Sequence, residues 1–215
     1  MEKVMLMNDR DIFIQKCAEL NIQLTEEKLA RIDQYAFLLE KWQKKFNLVG
    51  PDTIPYIYSR HILDCAQICT LIKSDDVVLD IGAGAGLPSI IIAILTGAKV
   101  HACELVGKKI QFMAEVKRQL KLGNQFLPLK EDVYKLHEKN ERYSVITSRA
   151  FSEVDNILKA GNPLLLEGGK YVLLKGVSFE DEKNNSPLIK CMTIEEKRSI
   201  TFTGGKILVL SNSST

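Results

Sequence analysis

Histidine and cysteine, the side chains that most often bind transition metals, are scarce in this sequence. Its 215 residues include three histidines and five cysteines. The cysteines form no C-x-x-C pair and the histidines are not clustered, so neither a disulfide framework nor a zinc site is indicated. Cys65 and Cys69 share one face of a predicted helix, and we interpret them as small core residues. We therefore predict no metal site.

Long apolar segments are also lacking. The longest, residues 87–96, is interrupted by Pro88 and Ser89 and falls well short of the roughly 20 residues that span a bilayer. Residues 1–10 contain acids and no apolar stretch of the kind found in signal peptides. We expect a cytoplasmic protein that does not bind membranes.

Net charge is small as well. The formal value is +2 at pH 7, so a nucleic acid would have to be bound by a local basic surface. A helix predicted to begin after Thr25 ends near the only tryptophan, Trp42, which stands among Lys41, Lys44 and Lys45. Lysines can contact phosphates and an aromatic ring can stack on bases, but a solvated lysine face with a half-buried tryptophan has the same pattern.

Residues 77–94 are the most informative stretch. A short β-branched run ends at Asp80, and an apolar segment of helical character begins near Leu87. Between them are three glycines at alternate positions, Gly82, Gly84 and Gly86. Glycine suits a strand-to-helix turn because it tolerates positive φ and lets a ligand lie against the backbone. The helix N-terminus adds free N–H groups and a partial positive charge.

The spacing of this turn, D-x-G-x-G-x-G, favours one cofactor. A dinucleotide-binding turn usually reads G-x-G-x-x-G, with the pyrophosphate at the helix N-terminus. Asp80 stands two residues before the first glycine, where a carboxylate repels a pyrophosphate but accepts hydrogen bonds from an ammonium group. This favours S-adenosylmethionine, whose amino-acid end carries an ammonium group. The alternative is a glycine-rich loop that only reverses the chain.

Strands and helices alternate over residues 77–175, and two β-rich pieces, 192–203 and 206–211, follow as a hairpin across Gly204 and Gly205. This order predicts an α/β fold with a Rossmann-like, doubly wound sheet and an antiparallel edge hairpin. Class I S-adenosylmethionine-dependent methyltransferases have this plan, and so do variants of the Rossmann fold.

The N-terminal part of the chain is predicted to be helical. We expect residues 1–72 to form a helical extension packed on a methyltransferase core, residues 73–215, as one compact unit. Within the extension, a helix over residues 60–72 is predicted, with Ser59 as its N-cap. Arg60 and Asp64 should face each other at i, i+4, and His61 is either a poised base or a packed or capping residue.

Polar side chains follow the other predicted strands of the core. Glu104 ends the strand after the glycine turn, where it could reach a ribose diol; a solvated loop acid is the alternative. Asp132 follows the next strand, where an adenine edge could lie. Arg149 and Phe151 follow a strand predicted to lie beside the glycine strand, at the ligand crevice of an open α/β sheet.

Short motifs occur in a particular order along the chain. They are residues 40–42, 47–48, 60–64, 79–88, 108–109, 148–151 and 174–176. As an ordered set, they resemble the bacterial small-subunit ribosomal RNA guanine-N7 methyltransferases, the glucose-inhibited division protein B family. The similarity extends from about residue 24 to 210.

This resemblance implies the cofactor contacts. In the family they correspond to Gly82, Leu87, Val133, Tyr134 and Arg149. The acid usual in the family at the position of Tyr134 is absent, so Asp132 is an alternative contact on the adenine side. With Asp80, Gly84, Gly86 and Glu104, these residues make up the predicted S-adenosylmethionine site.

The resemblance also implies the reaction, methylation of N7 of a guanosine in small-subunit (16S) ribosomal RNA. Guanine N7 has a lone pair and no proton, so methyl transfer requires in-line placement and no general base. No catalytic residue is therefore expected beyond the positioning candidates Arg60, His61 and Lys175. The RNA-binding candidates are Lys41, Trp42, Lys44, Lys45, Arg60, Lys108, Lys109 and Phe151. The predicted partner is free ribosomal RNA or the 30S particle, and a monomer is expected.

Two other functions fit a glycine-rich turn on such a fold. One is an NAD(P)-dependent oxidoreductase, which would bind NADH instead of S-adenosylmethionine. The other is a ribosome-binding module without activity, which would bind RNA without transferring a methyl group.

Overall fold

The computed structural model describes residues 7–177, 179–201 and 203–212. The prediction that no signal peptide is present concerned residues 1–10, of which 1–6 lie outside these ranges. The predicted strand 192–203 includes Phe202, which also lies outside them.

The described strands form one seven-stranded sheet. They are β1 (Val77–Ile81), β2 (Lys99–Glu104), β3 (Phe126–Lys130), β4 (Tyr143–Arg149), β5 (Leu165–Lys175), β6 (Met192–Arg198) and β7 (Lys206–Asn212). Their spatial order is β3-β2-β1-β4-β5-β7-β6. Strands β1 to β5 pair in parallel, and β7 is antiparallel to both β5 and β6. The predicted doubly wound sheet with an antiparallel edge hairpin is confirmed, and its strand order reverses between β1 and β4, where such sheets bind ligands.

Helices cover both faces of the sheet. They are α1 (Asp9–Glu19), α2 (Glu26–Gln43), α3 (Leu63–Ala66), α4 (Ser89–Thr96), α5 (Gly107–Gln119), α6 (Val154–Gly161) and α7 (Phe179–Asn185). The Thr25 side chain caps α2 as predicted, by accepting a hydrogen bond from the N–H of Lys28 at 3.2 Å. Among the described residues, no helix has the length and apolar character needed to cross a membrane.

The helix predicted over residues 60–72 is present, but it begins earlier and is not a regular α-helix. Ile57–Ile62 is a π-helix, α3 covers only four residues, and Gln67–Leu71 is a 3₁₀-helix. The segment is held by a distant carboxylate: Asp9 of α1 accepts hydrogen bonds from the N–H groups of Tyr58 and Ser59, at 2.7 and 3.1 Å. Ser59 therefore lies inside the wide turn instead of capping a helix.

Gly168 and Gly169 lie within β5, which begins at Leu165. Gly168 has a φ of +72°, and the pairing of β4 with β5 is irregular between Tyr143 and Val145. The glycines therefore form a bulge within a longer strand.

The N-terminal helices and the sheet share an apolar core. Phe13 of α1 and Ile32 of α2 belong to the same buried cluster as Ile90 of α4 and Phe112 of α5. The hydroxyl of buried Tyr35 donates to the carbonyl oxygen of Ala85 at 3.0 Å and so ties α2 directly to the glycine turn. A second buried cluster lies between α6 and the opposite face of the sheet. The division of the chain at residues 72 and 73 stays a prediction.

Candidate active site

The glycine turn lies between β1 and α4, at the carboxyl edge of the sheet. Gly82, Gly84 and Gly86 have φ values of 73°, 59° and 79°. A Cβ on Gly82 would lie 2.2 Å from Cδ2 of Phe151, and one on Gly86 would lie 2.2 Å from Cδ1 of Ile90. At Gly84 the nearest atom would be the carbonyl oxygen of Gly82, at 3.9 Å. The backbone is thus open for a ligand at Gly84, where a larger side chain would fill the space.

Asp80 is fully buried beside this turn. Its Oδ2 accepts a hydrogen bond from the N–H of Ser89 at 3.2 Å, whereas Oδ1 has no partner among the described residues. Burial raises the pKa of the Asp80 carboxyl to about 7. An unpartnered buried carboxylate oxygen is costly, and an ammonium group would satisfy it.

Glu104, at the end of β2, has all its ordinary acceptor positions in use. Its Oε1 accepts from the N–H groups of Leu105 and Val106, both at 2.9 Å. Its Oε2 accepts from the N–H of Gly84 at 3.0 Å and lies 3.4 Å from Nζ of Lys109. The carboxylate is therefore at the glycine turn, but a ribose diol would have to replace one of these donors, and the long Lys109 contact is the weakest.

The adenine-side candidates lie in the 3₁₀-helical segment after β3. Asp132 caps this segment, because its Oδ1 accepts from the N–H of Tyr134 at 3.0 Å. Val133 is buried, while the ring of Tyr134 is half exposed and lies edge-on to His137. Leu87, at the other side of the site, is buried. Asp132 and Tyr134 both remain candidates.

Arg149, the last residue of β4, reaches into the N-terminal helical segment. Its Nη2 donates to Nδ1 of His61 at 2.8 Å, and Nη1 lies 3.4 Å from both the carbonyl oxygen of His61 and Oδ2 of Asp64. The Arg149 and Asp64 side chains are 18% and 19% exposed, so the guanidinium is largely withdrawn from water.

These contacts define the protonation state of His61. Because Nδ1 accepts from Arg149, the neutral ring carries its proton on Nε2, which donates to Oγ1 of Thr53 at 2.6 Å. Burial, assisted by the positive charges of Arg149 and Arg60, lowers the pKa of His61 to about 4. Both ring nitrogens are engaged, so His61 positions Arg149 and is not free to act as a base.

The expected pairing of Arg60 with Asp64 is wrong. The Asp64 carboxylate instead binds Arg149 and the hydroxyl of Thr201, the latter at 2.6 Å, because the π-helical turn shifts the side chains out of α-helical spacing. Arg60 is exposed and forms no ion pair among the described residues. Lys175, at the end of β5, is held by the Glu182 carboxylate at 2.7 Å.

A cavity of about 390 Å³ joins these side chains, within the usual size of ligand pockets, about 300–1,000 Å³. It is lined by residues including Arg60, His61, Asp64, Arg149, Lys175, Thr201 and Lys206. The structure therefore brings together the three positioning candidates and Arg149.

The other basic candidates lie on a separate surface, where α2 meets α5. Lys41 and Lys45 line a groove with Trp42 and Phe46, and Nζ of Lys108 lies 5.2 Å from the Phe46 ring centroid. The Trp42 ring is half buried, edge-on to Phe112 at 5.5 Å. Lys44 is exposed beside this groove. Trp42 is thus half buried among exposed lysines, a placement that fits both an RNA-binding surface and a solvated lysine face.

Sequence reasoning missed four residues that shape this site: Tyr35, Gln67, Ser199 and Thr201. Tyr35 follows the apolar spacing of α2 and could have been assigned to its buried face. The other three come together only because the β6–β7 loop packs against the segment that follows α3. Gln67 and Ser199, for example, are 132 positions apart in the sequence. No local pattern signals such a contact.

The sequence is similar to proteins of one family. A family model described as GidB, rRNA small subunit methyltransferase G, matches residues 28–209. A relative named Ribosomal RNA small subunit methyltransferase G, from Paramagnetospirillum magneticum, is 37% identical over 196 residues, covering 87% of this chain and 90% of its own. The protein of the same name from Ruthia magnifica is 36% identical, covering 82% and 86%.

Solved structures of methyltransferases share the fold. A ribosomal protein L11 methylase from Lactobacillus delbrueckii subsp. bulgaricus superposes with a TM-score of 0.57 at 16% identity, covering 71% of this chain and 80% of that chain. A putative rRNA-methylase from Clostridium thermocellum gives 0.54 at 15% identity, covering 70% and 93%. The predicted class I fold, the assignment as a methyltransferase and S-adenosylmethionine as methyl donor are confirmed. The chain belongs to the rRNA small subunit methyltransferase G family.

Proposed function

We propose that this enzyme transfers the methyl group of S-adenosylmethionine to N7 of a guanosine in small-subunit ribosomal RNA. The observation that carries the proposal is the family match over residues 28–209, which includes the glycine turn and Arg149. The family and the structural neighbours lend no support to an NAD(P)-dependent oxidoreductase or to an inactive binding module.

The residues around the glycine turn fit the cofactor. The open backbone at Gly84 would accommodate it, and Oδ1 of Asp80 would accept a hydrogen bond from its ammonium group. Glu104 would accept hydrogen bonds from the ribose hydroxyls in place of its long contact with Lys109. Asp132, Val133 or Tyr134 would lie on the adenine side. When bound, S-adenosylmethionine supplies an electrophilic methyl group on a sulfonium.

Arg149 is proposed to bind the methionyl carboxylate. Among the described residues, its hydrogen bonds use Nη1 and Nη2, and none is formed by Nε. The N–H of Nε and the remaining N–H of Nη2 form a fork that matches a carboxylate. A contact with guanine O6 or a phosphate is the second candidate role.

Replacing Arg149 by alanine separates the two roles. As a cofactor ligand, it should raise the dissociation constant of S-adenosylmethionine at least about tenfold, or about 1.4 kcal/mol, in calorimetry. The 5′-methylthioadenosine analogue, which lacks the amino acid, should bind as before. As an RNA contact, Arg149→Ala would leave both dissociation constants unchanged and slow methyl transfer, and a variant with parental binding and transfer would contradict both roles.

The site suits an acceptor atom that has a lone pair and no proton to lose. His61 is neutral with both nitrogens engaged, so no base is available from it. Burial raises the pKa of the Cys65 and Cys103 thiols to about 12, which excludes them as nucleophiles near neutral pH. Guanine N7 meets this requirement and is exposed on the base edge. The protein then has to orient the base and exclude water, as the half-exposed rings of Phe151 and Tyr134 could do.

Exposed lysines at the rim are proposed to bind the RNA backbone. Lys41, Lys44, Lys45 and Lys108 surround the groove between α2 and α5, and Arg60 lies at the mouth of the Arg149 cavity. Free ribosomal RNA and the 30S particle are both candidate substrates, and we propose that the enzyme acts as a monomer in the cytoplasm.

The decisive experiment maps N7-methylguanosine. Ribosomal RNA from a strain lacking the gene and from its parent is reduced and cleaved at N7-methylguanosine, and one cleavage site should be lost in the deletion strain. The purified enzyme should then restore it on free RNA or on 30S particles from that strain. Identical cleavage in both strains would contradict the proposal, and RNA binding without transfer would identify the inactive binding module.

A further inference from the structure

Asp64 joins two segments that are remote in sequence. Its Oδ2 lies 3.4 Å from Nη1 of Arg149, 85 positions away, and its Oδ1 accepts from the hydroxyl of Thr201 at 2.6 Å, 137 positions away. Thr201 belongs to the loop between β6 and β7 at the far edge of the sheet. One carboxylate thus connects the end of β4 to that loop.

Gln67, one turn after Asp64, attaches the same loop without touching Arg149. Its Nε2 donates to Oγ of Ser199 at 3.0 Å, and its Oε1 accepts from the N–H of Ile200 at 3.1 Å. Its Nε2 also lies 2.9 Å from Oδ1 of Asp64. The loop is therefore fastened by both side chains, whereas Asp64 is the one of the two that reaches the guanidinium.

The orientation of Arg149 depends on few contacts. His61 holds Nη2, and Asp64 supplies the negative charge that faces Nη1. Because the guanidinium is largely buried, removing that charge leaves a cation withdrawn from water with neutral partners, and the side chain should turn toward solvent. The direction of the Nε–Nη2 fork would then change.

We propose that Asp64 is a positioning residue for cofactor binding. It orients the fork of Arg149 toward the cofactor's carboxylate, and the β6–β7 loop in turn orients Asp64 through Thr201. This inference rests on the proposed role of Arg149 as a carboxylate ligand. It gives the helical segment and the edge hairpin a direct part in the cofactor site.

Calorimetry with two ligands tests the proposal. Asparagine at position 64 keeps the shape and can still accept from Thr201, but it removes the charge. Asp64→Asn should raise the dissociation constant of S-adenosylmethionine about tenfold. Its binding of 5′-methylthioadenosine, which has no carboxylate, should stay within about twofold of the parent. A general loosening of the site would weaken both ligands, so equal losses of affinity for the two ligands would overturn the proposal.

A double-mutant cycle tests whether Asp64 acts through Arg149. In an Arg149→Lys background, Asp64→Asn should weaken S-adenosylmethionine binding no further, because the fork is already gone. Independent, multiplying losses would contradict the inference. If Asp64→Asn lowers the unfolding midpoint too far for binding measurements, Thr201→Val should weaken S-adenosylmethionine selectively and Thr201→Ser should restore parental binding. Equal binding by these two variants would refute it.

These measurements need no RNA. A protein that binds S-adenosylmethionine with the expected pattern but methylates no ribosomal RNA would contradict the proposed substrate and leave the role of Asp64 supported. If the parent enzyme methylates ribosomal RNA and the Asp64→Asn variant binds both ligands with parental affinity, the proposed substrate is supported and the role of Asp64 is contradicted.

Discussion

At the scale of single residues, Gly84 provides the most direct test of the cofactor pocket. Gly84→Val should abolish S-adenosylmethionine binding without unfolding the chain, because the branched side chain would enter the space left open against the backbone. The change also places a β-branched residue at a φ of +59°, at a cost of about 1–3 kcal/mol. Calorimetry and thermal unfolding measure the two effects.

Gly123 offers the matched control for that strain. It has a φ of +54°, and a Cβ there would meet no atom within 4 Å. Gly123→Val should therefore cost comparable stability and leave cofactor binding intact. A Gly84→Val protein that melts normally and binds the cofactor at parental affinity would show that the pocket lies elsewhere.

Asp80 predicts a pH dependence of binding. Burial raises its pKa to about 7, so the carboxyl is mainly protonated at pH 6 and mainly ionised at pH 8. Only the ionised form pairs with an ammonium group, so S-adenosylmethionine should bind more tightly as pH rises through 7. His61, with a pKa of about 4, does not titrate in this range. Asp80→Asn should bind weakly with a flat profile, and a profile like that of the parent would assign the titration to another group.

The raised pKa of Asp80 also predicts how the free energy of unfolding changes with pH. Asp80 is neutral in the folded and unfolded states at low pH, and its ionisation in the fold is opposed by burial, so its contribution to stability is lost as pH rises from the unfolded value toward about 7. In the absence of cofactor, the free energy of unfolding should fall over this window more in the parent than in Asp80→Asn. Denaturant titrations at several pH values measure the difference.

At the scale of elements, the sequence predicted what local patterns determine. The glycine turn, the acids at the carboxyl ends of β1 and β2 and the edge hairpin all follow from spacing and turn residues, and each lies where expected. The segment over residues 57–71 did not follow its pattern because the Asp9 carboxylate and the packing of α1 impose a wide turn. The sequence identified Asp64 as part of a motif. Its partners Arg149 and Thr201 could not be predicted, because they contact Asp64 only in the folded chain.

The C-terminal end of α2 carries the prediction for RNA binding. Reversing the charges of Lys44 and Lys45 should weaken binding and reduce the slope of log affinity against log salt by about 0.7–0.9 for each lost phosphate contact. Lys73 and Lys99, exposed at the amino ends of β1 and β2, provide a charge-matched control pair. Filter binding over a salt series measures the slope. Unchanged slope and methylation in Lys44→Glu/Lys45→Glu would assign these lysines to a solvated face.

At the scale of the whole molecule, the helical extension contributes to both the core and the site. Phe13, Ile32 and Leu39 are fully buried in the cluster that includes α4 and α5, and Tyr35 donates to the glycine turn. His61 and Asp64 hold Arg149 from the same part of the chain. The extension thus supplies side chains to the core and holds the proposed carboxylate ligand in place.

Deleting residues 1–72 should therefore prevent folding of residues 73–215 and not merely weaken RNA binding. The deletion would expose the apolar faces of α4 and α5, and each large side chain left unburied costs about 1.5–3 kcal/mol against a total stability of about 5–15 kcal/mol. Circular dichroism, limited proteolysis and S-adenosylmethionine binding measure the outcome. A truncated chain that unfolds cooperatively and binds the cofactor would show that the core is an independent domain, and the predicted compact unit would then be wrong.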